Sequence, residues 1–173
     1  MTIELVKEEL EEMAGGVSGV VGGRLTGYIF IYLQEHDFGQ VFNADTDFML
    51  PDVGKRRPDV AFASYATVPE IPRDFVAVPP DLAVEVVSRT DQIDDSDAKI
   101  LEYRQAKIKL IWVIRTVLKV VEVHHLGKPI LVLEEGDELD GYEVLPGFKL
   151  PVHKLFAFPT QARPGAAKTM PPS

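Results

Sequence analysis

The chain has 173 residues, 46% of them apolar and 26% charged, which suits one ordinary folded domain and excludes an unfolded chain. No stretch reaches the roughly 20 apolar residues of a membrane span, and no export signal precedes the first helix, so we expect a cytoplasmic protein. The formal charge of −9 argues against a protein that coats nucleic acid by bulk electrostatics, although an enzyme with a local basic patch and a metal ion stays possible.

The chain contains no cysteine and only four histidines. Disulfides, thiolate nucleophiles and cysteine-based metal sites are therefore excluded, and a histidine-rich zinc site is disfavoured. Carboxylates remain as the available metal ligands, and they suit hard cations such as Mg²⁺ and Mn²⁺.

Hydrophobic periodicity predicts two N-terminal helices, over 3–13 and 19–34, separated by a break at Gly15 and Gly16. A third helix is expected over 95–106, with Asp94 or Asp95 as its N-cap. The predicted strands cover 40–50 with an interruption near Asn43, 58–63, 81–87, 109–114, 117–124, 129–133 and 142–145. We expect residues 1–159 to form a single domain and residues 160–173 to be a disordered tail.

This order of elements predicts an α/β fold of the mixed α+β kind, with a mixed central sheet. The helix over 95–106 lies between the strands over 81–87 and 109–114. A β-α-β unit of this kind places its two strands parallel to each other.

Two of the predicted strands carry a carboxylate. Glu85 interrupts the apolar run of residues 82–87, so a buried Glu85 needs a cation, a proton or a metal as partner, unless it lies at a strand end and reaches water or an arginine. Asp59 follows Pro58, which alone is a common turn dipeptide. If the two strands are neighbours, both carboxylates converge at one edge of the sheet, where a divalent cation would offset their repulsion.

Basic residues flank these carboxylates in the sequence. Lys99 and Tyr103 share one face of the predicted helix, where Lys99 either pairs with Asp95 in solvent or faces the carboxylates and stabilises charge on a phosphate. The segment before Asp59 contains three basic residues that either contact flanking phosphates or form a solvated turn. They are Lys55, Arg56 and Arg57.

Five segments, in order and at matching spacing, resemble the Uma2 family, a restriction-endonuclease-like branch of the PD-(D/E)xK nuclease superfamily. They span roughly residues 17–157 of the chain. The segments are 57–62 (RPDVAF), 80–88 (PDLAVEVVS), 97–103 with Asp97, Lys99, Glu102 and Tyr103, 110–114 (LIWVI), and 145–156 with LPGFKLPV followed by Leu155 and Phe156.

The resemblance implies a restriction-endonuclease-like mixed central β-sheet flanked by helices. It also implies that Asp59 and Glu85 bind Mg²⁺ or Mn²⁺, with the Val86 carbonyl as a further ligand. Valine occupies position 87, where the superfamily carries lysine, and Lys99 matches the lysine that this family places on the following helix. Family members often carry a histidine near the start of the helix over 19–34, whereas this chain has Ser18 and Gly19 there.

The sequence therefore predicts a metal-dependent endonuclease that acts on nucleic acid, and on DNA in particular. The alternative is a catalytically inactive module on the same fold that binds nucleic acid or protein. A small-molecule hydrolase is disfavoured, because Ser88 lies in no Gly-x-Ser-x-Gly motif. We expect a homodimer, since the apolar strands near 110–124 and the N-terminal helices offer a surface, and endonucleases that cut both strands are often two-fold symmetric.

Overall fold

The computed structural model describes residues 3–88 and 93–158. It begins with one long helix, α1 (Ile3–Glu35), so the predicted break at Gly15 and Gly16 is wrong. Neither glycine adopts the positive φ that ends a helix, and α1 continues beyond them into a part that is anchored by four fully or almost fully buried apolar residues. They are Val21, Leu25, Ile29 and Leu33.

The remaining elements form a mixed α+β fold, as the sequence predicts. They are β1 (Gly39–Asn43), β2 (Phe48–Leu50), β3 (Gly54–Arg56), β4 (Val60–Ser64), β5 (Leu82–Val87), α2 (Ile93–Gln105), β6 (Leu110–Arg115), β7 (Val120–His125), β8 (Leu131–Leu133), β9 (Glu138–Asp140), β10 (Lys149–Pro151) and α3 (His153–Phe156).

The central sheet has six strands in the order β1-β4-β5-β6-β7-β8. Strands β5 and β6 are parallel, as predicted for the unit that contains α2, and the other neighbouring strands in this sheet are antiparallel. Two short ribbons, β2–β3 and β9–β10, complete the strand pairing of the described residues.

Two of the sequence predictions need correction near strand ends. The predicted strand over 142–145 is wrong, because that segment turns: Tyr142 has a positive φ of 48°, and the amides of Val144 and Leu145 donate to the Gly141 carbonyl. The β6–β7 hairpin turns at 116–119 instead of at Arg115 and Thr116, so β6 continues through Arg115.

The core has one layer on each face of the sheet. Leu82, Val84 and Val86 of β5 pack in the larger cluster with α1, whereas Ala83 and Val87 pack with α2. The larger cluster also contains the single tryptophan, Trp112, whose ring is fully buried and stacks on Phe148 with the ring centroids 6.1 Å apart. Strand alternation therefore places Glu85 on the face that α2 covers.

No helix within residues 3–88 and 93–158 combines the length and the apolarity that crossing a bilayer requires. The predicted tail over 160–173 and the domain boundary at 159 lie outside the described residues.

Candidate active site

Glu85 lies near the end of β5 and is 5% exposed. Two side chains of α2 contact its carboxylate. The Tyr103 hydroxyl donates to Oε1 at 2.5 Å, and the Lys99 ammonium donates to Oε2 at 3.2 Å. Lys99 and Tyr103 are four residues apart, so one face of α2 meets both carboxylate oxygens.

The environment of Glu85 disfavours its negative charge. Burial raises the pKa of Glu85 above its ordinary value, the bond from Tyr103 acts in the opposite direction, and the nearby charge of Asp59 raises the pKa further. Burial and the same two carboxylates raise the pKa of Tyr103, so the phenol stays protonated and donates. The carboxyl group is therefore held where ionisation is unfavourable without a further cation.

Asp59 comes immediately before β4 and reaches the same end of β5. The ladder between β4 and β5 stops at the pair Val60 and Val84, and the Asp59 amide donates to the Val84 carbonyl at 3.0 Å. Beyond this point the Asp59 carboxylate replaces the strand as acceptor, because its Oδ2 accepts from the Val86 amide at 2.7 Å. This bond fixes Asp59 beside Glu85, as the sequence pattern predicts for neighbouring strands.

An ion pair fastens α2 in this position. Arg56 of β3 forms two parallel bonds with Glu102, from Nε to Oε2 at 2.5 Å and from an η-nitrogen to Oε1 at 2.6 Å. The bond from Arg56 lowers the pKa of Glu102 and keeps it ionised. Since Glu102 precedes Tyr103, this pair holds the turn of α2 that carries the phenol.

These residues line an open cleft of about 720 Å³. Asp59, Glu85, Val86 and Lys99 form one wall. The opposite wall belongs to α1 and consists of small side chains, and the connection after β1 contributes to the rim. The α1 residues are Gly15, Ser18, Gly19, Gly22, Gly23 and Thr26, and the rim residues are Asn43, Ala44 and Asp45.

Ser18 and Gly19 stand where family members often carry a histidine, and both line the cleft. The Ser18 hydroxyl donates to the Gly15 carbonyl at 3.1 Å, within α1 itself. This wall of the cleft therefore contains no imidazole among the residues described.

The three basic residues before Asp59 do not line the cleft. Arg56 is bound to Glu102, and Arg57 donates to Asp47 at 2.8 Å. The Lys55 ammonium lies 3.9 Å from the centroid of the Phe75 ring. Their contact with flanking phosphates stays a prediction.

The donor set of the cleft fits a hard divalent cation. Asp59 and Glu85 supply carboxylate oxygens, and Val86, which follows Glu85, donates its amide to the Asp59 carboxylate. Among the described residues no group of three or more histidine, aspartate or glutamate side chains could hold a metal ion. A cation at this position would therefore take its remaining ligands from backbone carbonyls, water or substrate.

Two features of the site were not assigned from the sequence. Tyr103 was predicted to share a face with Lys99, and its bond to Glu85 follows from that face, yet nothing in the spacing identified the phenol as the donor. The sequence analysis gives no role to the rim residues Asn43 and Asp45, although polar residues at the end of a strand and just beyond it are a signal that indicates them.

Comparisons with known proteins identify a family and a similar fold. The model of the Uma2 family, described as "Putative restriction endonuclease", matches residues 1–153. The chain is also similar to a crystal structure from Anabaena variabilis ATCC 29413, described as a "putative nuclease belonging to DUF820", with a TM-score of 0.70 and 15% identity. That alignment covers 81% of this chain and 80% of the other, and at this identity it shows the fold alone. No curated protein matches.

Proposed function

The chain belongs to the Uma2 family, and we propose that it is an endonuclease that hydrolyses phosphodiester bonds in nucleic acid, with DNA as substrate and a divalent cation as cofactor. One observation carries the proposal. Two carboxylates from neighbouring strands and one ammonium from α2 converge in an open cleft, at the positions that the family resemblance assigns to catalysis.

The carboxylates of Asp59 and Glu85, together with the Val86 carbonyl, would hold Mg²⁺ or Mn²⁺. The bound cation supplies Lewis-acid chemistry, which polarises a phosphoryl oxygen and acidifies water. Its charge would also offset the unfavourable ionisation of Glu85 beside Asp59.

Lys99 and Tyr103 of α2 have different proposed roles. The Lys99 side chain is 40% exposed, so its ammonium reaches the cleft while it contacts Glu85. There it would stabilise negative charge on the phosphate or orient the attacking water. Tyr103 is fully buried and has no access to substrate, so its bond positions the Glu85 carboxylate.

Further aspects of substrate and assembly follow from the surface. Lys55 and Arg57 are exposed beside the segment that carries Asp59, and we keep them, with the partly exposed Arg56, as contacts for flanking phosphates. We also propose a homodimer. Strands β6 and β7 lie inside the sheet, so within the predicted surface the exposed apolar side chains include those of the turn residue Leu118 and of Phe30 and Ile31 on α1. Light scattering on the purified protein distinguishes a dimer from a monomer.

The proposal is tested by incubating the protein with plasmid DNA, linear duplex, single-stranded DNA and RNA, each with Mg²⁺, Mn²⁺ or EDTA. We expect cleavage that depends on the cation, and a loss of about 100-fold or more in Asp59→Asn. Asp45→Asn is the matched control, because Asp45 lines the same cleft without a proposed role. It should stay within a few-fold of the wild type.

Cleavage that persists in EDTA, or an Asp59→Asn variant as active as the wild type, would overturn the metal site. Binding of DNA without cleavage of any substrate form would establish the inactive binding module instead. Calorimetric titration with Mn²⁺ gives a second test of the endonuclease against the inactive module. The endonuclease requires that the wild type bind Mn²⁺ more tightly than Asp59→Asn does.

A further inference from the structure

A second cleft, of about 330 Å³, lies on the α2 face of the sheet toward the start of β6. It shares no lining residue with the cleft that contains Glu85. Its walls come from the C-terminal half of α2 and from the turn that connects β7 to β8. Nothing in the proposed nuclease function uses this cleft.

The floor of the second cleft is a pair of register partners, Ile111 of β6 and His124 of β7. His124 is 9% exposed, and neither ring nitrogen forms a hydrogen bond within the described part of the chain, although Nε2 lies 3.5 Å from Glu122 Oε2. Burial lowers the pKa of His124, so the imidazole is neutral at physiological pH. The floor is therefore uncharged, with one apolar side chain and one neutral imidazole.

The walls of the second cleft carry large apolar side chains that remain exposed. Leu101 of α2, with Leu126 and Ile130 of the turn, are each about half exposed, and all three line the cleft. A cluster of half-exposed aliphatic side chains around a concave surface is typical of a ligand site.

The charge of the lining is the opposite of the charge of the chain. Acidic residues outnumber basic ones by 27 to 18, yet the cleft contains Arg104 and Lys128 and no carboxylate. Neither cation forms a salt bridge with any residue that the structure describes. The nearby Glu143 accepts from His125 at 2.8 Å.

We propose that this second cleft binds a small organic anion, a carboxylate or sulfonate on an apolar body. Arg104 and Lys128 would pair with the acidic group, and the aliphatic walls would cover the apolar part. The volume lies at the lower end of the roughly 300–1,000 Å³ of small-molecule sites, which sets the size of the ligand to a fused pair of rings or less.

The test uses 2-naphthoate as the probe and follows the methyl groups of leucine, isoleucine and valine by NMR. We expect saturable shifts centred on Leu101, Ile111, Leu126 and Ile130. Neutral 2-naphthalenemethanol lacks the charge, and inorganic phosphate lacks the apolar body. Each should bind at least about tenfold more weakly, the effect of losing one charge-assisted contact or the apolar contact.

Variants assign the binding to the two cations. Arg104→Gln and Lys128→Gln should each weaken 2-naphthoate binding several-fold, and the double variant by about tenfold or more. Lys107→Gln is the control, since Lys107 is an exposed cation just after α2 that does not line the cleft. The proposal is wrong if the alcohol binds as tightly as the carboxylate, if the double variant binds like the wild type, or if the shifts centre on Val86 and Val87.

Discussion

Two buried carboxylates lie toward the two ends of strand β5, and their surroundings shift their pKa values in opposite directions. Asp81, directly before the strand, accepts four hydrogen bonds: from the amide and hydroxyl of Ser64, the hydroxyl of Thr67 and the ammonium of Lys109. Burial alone would raise the pKa of Asp81, but these bonds bring it below its ordinary value. Glu85, near the other end, has its pKa raised and has Asp59 beside it.

Both residues are 5% exposed, so burial does not distinguish them. The difference lies in their partners. The surroundings of Asp81 satisfy a permanent negative charge, and the Asp81 end serves stability. The surroundings of Glu85 leave its charge partly uncompensated, and an uncompensated carboxylate in an open cleft is typical of a site that binds a cation.

The largest expected effect on stability is at Asp81. Asp81→Asn leaves buried donors of Ser64 and Thr67 without a charged acceptor, and we expect the free energy of unfolding to fall by about 3 kcal/mol. Chemical denaturation measures this change. Asp37→Asn is the control, because Asp37 is an exposed carboxylate that accepts one bond from Tyr65 and should change stability by about 0.5 kcal/mol or less. An equal loss in both variants would remove the distinction between the two ends.

The next largest effect concerns Lys99. Lys99→Ala should reduce cleavage by about 100-fold, equivalent to about 2.7 kcal/mol, and change the free energy of unfolding by only about 0.5 kcal/mol. Lys99→Arg keeps the charge but replaces a compact ammonium with a planar guanidinium. A role in positioning water predicts that arginine fails nearly as badly as alanine. Full activity of Lys99→Ala would contradict the assignment.

The pH dependence of stability should have opposite signs at the two ends. The folded-state pKa of Asp81 lies below its ordinary value of 3.8, so its contribution is present above pH 3.8 and is lost as the pH falls through the folded pKa. The folded-state pKa of Glu85 lies above its ordinary value of 4.5, so ionised Glu85 destabilises the metal-free protein as the pH rises above 4.5.

Denaturation in EDTA between pH 3 and 8 measures both effects. The advantage of the wild type over Asp81→Asn should grow as the pH rises from 3. Glu85→Gln should gain stability relative to the wild type over the range above pH 4.5. A Glu85→Gln variant that loses stability relative to the wild type as the pH rises would show that the two carboxylates are equivalent.

The smallest expected effect concerns the α1 wall of the cleft. A methyl group at Gly19 would meet no atom within 4 Å, so Gly19→Ala should stabilise α1 by about 0.5–1 kcal/mol. The same methyl group would narrow the cleft, and we expect cleavage to fall by about tenfold. Gly16 is also in open space but does not line the cleft. Gly16→Ala should therefore stabilise α1 by a similar amount and leave the cleavage rate unchanged. Equal cleavage by both variants would exclude α1 as a wall for substrate.

The parts of the site that follow from local pattern could be predicted from the sequence. Side-chain alternation along β5 places Glu85 on the face of the sheet that does not contact α1. The spacing of Lys99 and Tyr103 places these two residues on one face of α2. Their convergence on one carboxylate depends on the angle at which α2 crosses the sheet, and that angle depends on distant contacts such as Arg56 with Glu102. A single sequence contains no direct signal for such a contact.

The errors in the fold have the same origin. Gly15 and Gly16 lower helix propensity, but neither adopts the positive φ that commonly ends a helix, and α1 is anchored beyond them by the buried residues from Val21 to Leu33. Strand-like residues around Val144 were assigned to a strand, although their apolar side chains are buried through a turn. In both places tertiary packing overrides local preference.

The buried position of Trp112 has a practical consequence for spectroscopy. Because the chain contains one tryptophan, all indole fluorescence arises from a single place, in the layer between the sheet and α1. Its neighbour in register is Val84, which precedes Glu85 in the chain. Val84 and Trp112 share the α1 face of the sheet, whereas the Glu85 side chain points to the α2 face. The emission therefore reports on the integrity of the core and is shielded by the sheet from ligands on the α2 face, so unfolding can be followed optically while the second cleft is being titrated.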